Sequence, residues 1–153
     1  MLVSIEGNFD NPQVNKLLIK HFIELRAASP EGSAHVLDID GLKDPSIKFW
    51  SLWKNDLLTG CGALKFLNDE HGEFKSIRVH DTFRKKGYGI EIINHLILEA
   101  KKLKVKQLSI ETGAGIFFIP ARKLFKNCGF EPCEPFAHYK KDINSIYLTK
   151  FIS

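Results

Sequence analysis

The sequence predicts one α+β domain over residues 1–153, built on a mixed, mostly antiparallel sheet of six or seven strands with helices on both faces. Three observations carry the prediction. After an opening helix, the first half of the chain runs in strand-like segments separated by turn residues. The pattern then switches to a long helical period and back to a short strand, the order of a crossover between parallel neighbours or near neighbours. Finally, 44% hydrophobic and 26% charged residues in 153 positions are the proportions of a soluble globular domain with a sizeable core.

Residues 2–6 alternate and read as a first strand. Asp10-Asn11-Pro12 supplies an N-cap and a proline suited to a first helical turn. Val14, Leu17, Leu18, Phe22 and Leu25 then share one face, which predicts a helix over 12–28. Residues 29–46, punctuated by Pro30, Gly32, Gly41 and Pro45, read as a loop with one turn of helix. Strands follow at 47–53, at 57–67 after the Asn55-Asp56 turn, and at 73–80. Ile90, Ile93, Ile97 and Ala100 recur at helical spacing and predict a helix over 89–103, followed by a short strand at 107–112. A second helix over 119–128 ends at Gly129, a natural C-cap, and strands near 130–135 and 145–151 close the sheet.

Composition excludes several function classes. No apolar run is long enough to cross a membrane, and the opening residues lack the basic start and apolar stretch of a secretory signal. Cys61, Cys128 and Cys133 cannot all pair within one chain and match no zinc spacing, so they are expected as reduced thiols in a cytoplasmic protein. Six scattered histidines, His80 and His138 among them, make no metal site, and no metal is expected. The net charge of +4 lies largely in two clusters. Lys101 to Lys106 suits the C-terminal end of a helix, where cations oppose the negative pole. Arg84 to Lys86 lies at a helix start, where cations are locally unfavourable and an anion would be held.

That basic turn is the informative segment. A strand ending Ile77-Arg78-Val79-His80 feeds Arg84-Lys85-Lys86-Gly87-Tyr88-Gly89 and then the long helix. Glycines let backbone N–H groups approach a phosphate, and the helix start adds its partial positive charge, so a diphosphate or similar anion is expected here. A P-loop is absent. A dinucleotide fingerprint would use Glu111, about 20 residues beyond the glycines, but needs a third glycine where Ile92 stands.

Arg84-Lys85-Lys86-Gly87-Tyr88-Gly89 fits the pattern R/Q-x-x-G-x-G/A and resembles the coenzyme A loop of the GNAT N-acetyltransferase superfamily. The order of strands and helices is similar to a GNAT domain over nearly the whole chain. Ala121 to Phe130 is similar to the family element A-x-x-L-Y-x-x-x-G-F, and Glu111-Thr112-Gly113 with Pro120-Ala121-Arg122 resembles a small, largely uncharacterised bacterial branch. The resemblance implies acetyl-coenzyme A as co-substrate and no metal. Backbone amides from Lys85 through Lys86, Gly87, Tyr88 and Gly89 to Ile90 would hold the pyrophosphate, beside Arg84. The edge at Ile77, Arg78 and Val79 would pair with the pantetheine arm, an amide near Val79 polarising the thioester carbonyl. Phe118, Arg122 and Phe125 would line the opposite wall, with core packing the competing role for the two rings.

Acyl transfer to an amine needs a base. Glu73 opens the strand whose far end meets the coenzyme, where many family members carry one; the competing reading is a surface Glu after Gly72. The family often places a proton-donating Tyr at the position of Phe125, a departure that leaves Tyr139, Tyr88 and Cys128 as candidates, or a thiolate leaving unaided. The acceptor is expected among Arg26, residues 29–46, Trp50, Trp53 and residues 136–139. Arg78 and Arg122 would suit a carboxylate-bearing amine such as an amino acid; a peptide N-terminus or an aminoglycoside is an alternative. The implied protein is an N-acetyltransferase acting on a small-molecule amine, with neither nucleic acid nor membrane as partner and a homodimer left open. The rival is a non-catalytic acyl-coenzyme A sensor of the same fold. A nucleic-acid binder rests on the mild positive charge alone, with no aromatic strand pattern or helix-turn-helix signature.

Overall fold

The computed structural model describes residues 2–153. Seven strands form one sheet: β1 (Val3–Glu6), β2 (Ile47–Lys54), β3 (Leu57–Phe66), β4 (His71–Val79), β5 (Gln107–Gly113), β6 (Glu131–Pro132) and β7 (Ser145–Phe151). Their spatial order is β1-β2-β3-β4-β5-β7-β6. Every neighbouring pair is antiparallel except β4 with β5. The expected crossover therefore makes these two strands direct neighbours.

Helix α1 (Pro12–Ala28) starts where the sequence places it, because the Asn11 side chain accepts from the N–H groups of Gln13 and Val14 and Pro12 occupies the first turn. Its Val14, Leu17 and Leu18 pack with Phe49, Trp53, Leu58, Cys61 and Ala63 on one face of the sheet. The one-turn helix α2 (Ile39–Leu42), capped by Asp38, adds Leu42 there. Helices α3 (Tyr88–Lys102) and α4 (Ile119–Asn127) cover the other face. Ile92, Ile93, Leu96, Ile97 and Ala100 of α3 and Phe125 of α4 pack on Trp50, Leu52, Leu64, Phe74, Leu108, Ile110 and Leu148. Alternation along the strands feeds both cores at once.

The element boundaries differ from expectation mainly at β6, which is two residues long instead of about six. Pro132 has no N–H to give, so the ladder to β7 lapses after one further bond, from Cys133 N to the carbonyl of Tyr147. β4 begins earlier than expected because the Asn68 side chain accepts from the N–H groups of Glu70 and His71 and tightens the turn. Among the described residues no helix is long and apolar enough to cross a membrane.

Candidate active site

The site exists because β4 and β5 part company. They pair only from His71↔Gln107 to Glu73↔Ser109. Beyond that, β4 carries an extra residue relative to β3, between Lys75, opposite Ala63, and Arg78, opposite Cys61. Ser76 takes a left-handed φ of 53° there. Such a bulge bends the strand and reverses which face later residues occupy. As a result Lys75 and Arg78 share the α1 face, while Ile77 and Val79 pack toward α3. A cleft of about 530 Å³ fills the gap, with β4 and β5 as its walls, α1 and residues 29–36 on one side, and α3 and α4 on the other.

At one end lies the basic turn. Lys85 (φ 60°) and Gly87 (φ 85°) are both left-handed, a backbone alternation that turns successive N–H groups into a concavity. Gly87 caps α3 without any side-chain hydrogen bond, so the N–H groups of Gly87, Tyr88, Gly89 and Ile90 have no intrahelical acceptor. Neither Lys85 nor Lys86 donates its backbone N–H to a backbone carbonyl among the described residues. The two glycines serve different ends. A Cβ at Gly87 would meet nothing within 4 Å, so its role is conformational. At Gly89 a Cβ would stand 2.7 Å from Leu124 Cδ2, so its role includes the close approach of α4. Arg84 pairs with Asp81 at 3.2 Å and lines the cleft with Lys85 and Ile90. Lys86 and Tyr88 lie outside the cleft wall, Tyr88 accepting at its hydroxyl from Lys54 Nζ at 2.8 Å.

At the other end, where the strands meet, Glu73 is 1% exposed and lines the cleft. Tyr139 donates to its Oε2 at 2.5 Å, and Lys75 Nζ stands 3.3 Å from the same oxygen and 3.2 Å from the Tyr139 hydroxyl. Among the described residues Oε1 has no hydrogen-bond partner. Burial, and then the Glu73 charge, push the Tyr139 phenol well above its usual range. Glu111, on β5, lines the same end; burial raises its carboxyl to about 6. His21 of α1 also lines the cleft, and among the described residues neither ring nitrogen has a hydrogen-bond partner. Burial, then the Arg78 charge, lower it to about 3, so it is neutral.

Phe118 and Phe125 form part of the opposite wall. Gly113 allows this, since a Cβ there would fall 2.2 Å from the Phe118 ring. Arg122 lies outside the cleft and donates to the carbonyls of Gly113 (2.8 Å) and Gly115 (3.0 Å).

A nest of backbone donors and a buried carboxylate thus share one cleft in a split sheet, and the sequence comparison agrees with the geometry. The profile of the acetyltransferase (GNAT) family matches residues 13–130, most of the chain. The chain belongs to this family. It is similar to the uncharacterized N-acetyltransferase YsnE of Bacillus subtilis, 45% identical over 138 residues that cover 90% of this chain and 91% of the relative. It is also similar to the uncharacterized N-acetyltransferase YedL of Escherichia coli, 37% identical over 139 residues, or 91% and 87% of the two chains. In fold it is similar to a Bacillus subtilis acetyltransferase solved in complex with CoA, with a TM-score of 0.73, 22% identity and full coverage of both chains. The chain is accordingly a GNAT acyltransferase.

Within this GNAT fold several residues considered for the acceptor have other work. Trp50 is buried in the α3 core and Trp53 in the α1 core. Arg26 sits over the Phe22 ring. Arg78, 4% exposed, is held by Glu24 at 3.0 Å and Asp81 at 3.2 Å. With Arg122 engaged on carbonyls, both arginines of the pair expected for an acceptor carboxylate carry other partners. Tyr139 comes from the expected 136–139 segment, but toward Glu73. Cys128 is buried in the main core and outside the cleft wall.

Sequence reasoning missed Lys75 and His21, and assigned Glu111 only to a dinucleotide fingerprint. Lys75 carried a usable signal, since it lies two residues from Glu73 on one strand. His21 breaks the polar spacing of α1 by falling on its buried face, and that alone carries no chemistry.

Proposed function

We propose that this GNAT enzyme moves an acetyl group from acetyl-coenzyme A to the primary amine of a small-molecule acceptor by direct attack on the thioester. The observation that carries the reading is Glu73: a buried carboxylate on the cleft wall, one oxygen held by Tyr139 and Lys75 and the other without a partner. In the reaction the acceptor nitrogen bonds to the thioester carbonyl carbon, the C–S bond breaks, and the proton released by nitrogen passes to Glu73, directly or through water. Residues 85–90 offer their backbone N–H groups to the pyrophosphate, with Arg84 alongside. The β4 edge at Ile77, Arg78 and Val79, released from β5, takes the pantetheine arm, and an amide near Val79 polarises the carbonyl. Phe118 and Phe125 flank the arm.

Tyr139, considered in the sequence as the proton donor to the departing thiolate, is better read as a positioning residue, because its hydroxyl proton is already given to Glu73. Phe125 has no proton to give, so the thiolate leaves unaided, as suits a thiol with a pKa near ~8.5. The proposal extends to a cytoplasmic protein of one domain over residues 1–153. Three free cysteines support the setting. No nucleic-acid or membrane partner and no metal are proposed. Exposed Ile19 and Ile23 on α1 are compatible with a homodimer.

Thermal unfolding with acetyl-coenzyme A, coenzyme A and NAD in parallel tests the coenzyme. A ligand at one hundred times its dissociation constant adds about 2.7 kcal/mol of stability, expected for both coenzyme A forms and absent for NAD. Thiol release across an amine panel tests the reaction. Stabilisation by the coenzyme with no thiol released by any amine would favour a non-catalytic sensor.

A further inference from the structure

The end of the cleft where the acceptor must sit is rich in carboxylates and poor in free cations. Glu73 and Glu111 line it from adjacent strands, on the same face of the sheet. Asp142, in the loop before β7, is near enough for its charge to act on Glu111. Neutral groups satisfy Asp142: the Ser33 hydroxyl at 2.8 Å and the Asn144 backbone N–H at 2.8 Å. The first of these ties residues 29–36 over this end. Among the described residues that line this end the lysine is Lys75, and Glu73 and Tyr139 already hold it. Tyr147 pairs across the ladder with Glu111, and His35 stands edge-on to Tyr139 with ring centroids 5.0 Å apart.

Two further facts decide what this end will accept. Glu73 Oε1 is buried on the cleft wall and has no hydrogen-bond partner among the described residues. Among the described residues no Lys, Arg or His forms an ion pair with Glu111 or Asp142. The arginines at or beside the cleft have partners: Arg78 pairs with Glu24 and Asp81, Arg84 at the basic turn pairs with Asp81, and Arg122 donates to two carbonyls. An acceptor carboxylate would enter among like charges, and the guanidinium on the wall, Arg78, already faces two carboxylates although its Nε is without a partner among the described residues; an ammonium would meet Glu111, which carries no ion pair there.

We infer that the acceptor is a cationic amine with no carboxylate beside the reacting nitrogen, and that Glu111 holds its ammonium next to Glu73. The inference rests on the N-acetyltransferase reading of this cleft and names the substrate class for it. Glu111 is then a specificity-determining residue, and Glu73 receives the proton after the amine has been seated.

The test is acceptor binding to coenzyme A-loaded protein, by calorimetry, with three matched pairs: cadaverine against lysine, tyramine against tyrosine, and histamine against histidine. Members of each pair differ by the α-carboxylate alone. The amine of at least one pair is expected to bind at least about tenfold more tightly than its amino acid, since like-charge juxtaposition is costly. Glu111→Gln is expected to erase that preference by weakening the amine, and Glu111→Asp to keep part of it. Undiminished stabilisation of each variant by coenzyme A shows that it is folded. An amino acid binding as tightly as its amine in every pair, no binding by either class, or a preference that survives Glu111→Gln would overturn the inference. Preferred amine binding without thiol release would leave the inference standing and defeat the transfer reaction. Efficient acetylation of amino acids would do the reverse.

Discussion

The two ends of the cleft are made in different ways. The basic end is a backbone device on the surface: Lys85 and Gly87 hold left-handed conformations, and a row of N–H groups faces outward without acceptors. The strand-junction end is a side-chain device in the interior, where Glu73, Lys75 and Tyr139 share one hydrogen-bonded cluster. The first binds by geometry and tolerates changes of side chain. The second depends on charges in a low dielectric, where one lost partner leaves another unsatisfied. Coenzyme affinity should therefore respond to the first region, and acceptor binding, turnover and pH behaviour to the second.

The sharpest contrast is expected from Glu73→Gln. Turnover should fall by about 10²–10⁴, the usual contribution of a positioned base, while coenzyme affinity stays unchanged in calorimetry. A variant that loses affinity and turnover together would show that the two ends are not separable. Next in size is Tyr139→Phe, which removes the hydroxyl donor to Glu73 Oε2. A hydrogen bond to a charged group contributes about 1.5–3 kcal/mol, so kcat should fall at least about tenfold with the coenzyme KM unmoved.

The pH dependence of stability separates the groups by sign. Glu111 has its carboxyl raised from 4.5 to about 6 by burial, so the folded state binds more protons than the unfolded one between these values. Stability then falls as pH rises through that window, by about 2 kcal/mol in all. Glu111→Gln should be the more stable protein above pH 6 by about that amount, with the gain gone below pH 4.5. His21 acts oppositely. Its pKa is lowered from 6.5 to about 3, so its contribution is complete above 6.5 and lost as pH falls toward 3. Urea unfolding from pH 4 to 8 would read both.

The smallest effects belong to the glycines. Gly87→Ala forces a side chain into φ 85°, at about 1–2 kcal/mol, and should weaken coenzyme binding by about tenfold. Gly89→Ala meets only the end of the Leu124 side chain, which can rotate, so its effect on binding should be the smaller of the two. Equal losses at both positions would contradict the separate roles assigned to them.

The same division explains what could be read from the sequence. The basic end was legible because backbone conformation is written locally, in Gly87 and Gly89 between a basic turn and a helical period. The order of elements was legible too, since alternation and helical spacing mark each in turn. The junction was legible only as Glu73. Of its partners, Tyr139 comes from the far end of the chain, whereas Lys75 lies two residues along the same strand and was within reach of simple alternation. The left-handed Ser76 resets the alternation, so a simple count puts Ile77, not Arg78, on the face of Lys75. Ion pairs were equally hidden: nothing near Arg78 in sequence announces Glu24, which neutralises it from α1. The tryptophans misled because large rings mark cores as often as ligand sites, and Trp50 and Trp53 serve one core each.

The most direct test of the two-ended cleft is an amide NMR titration of ¹⁵N-labelled protein with coenzyme A. The account predicts the largest shifts at the N–H groups of residues 85–90, with smaller ones along residues 77–79. A saturating titration that leaves Gly87, Tyr88, Gly89 and Ile90 unmoved while resonances elsewhere shift would contradict it.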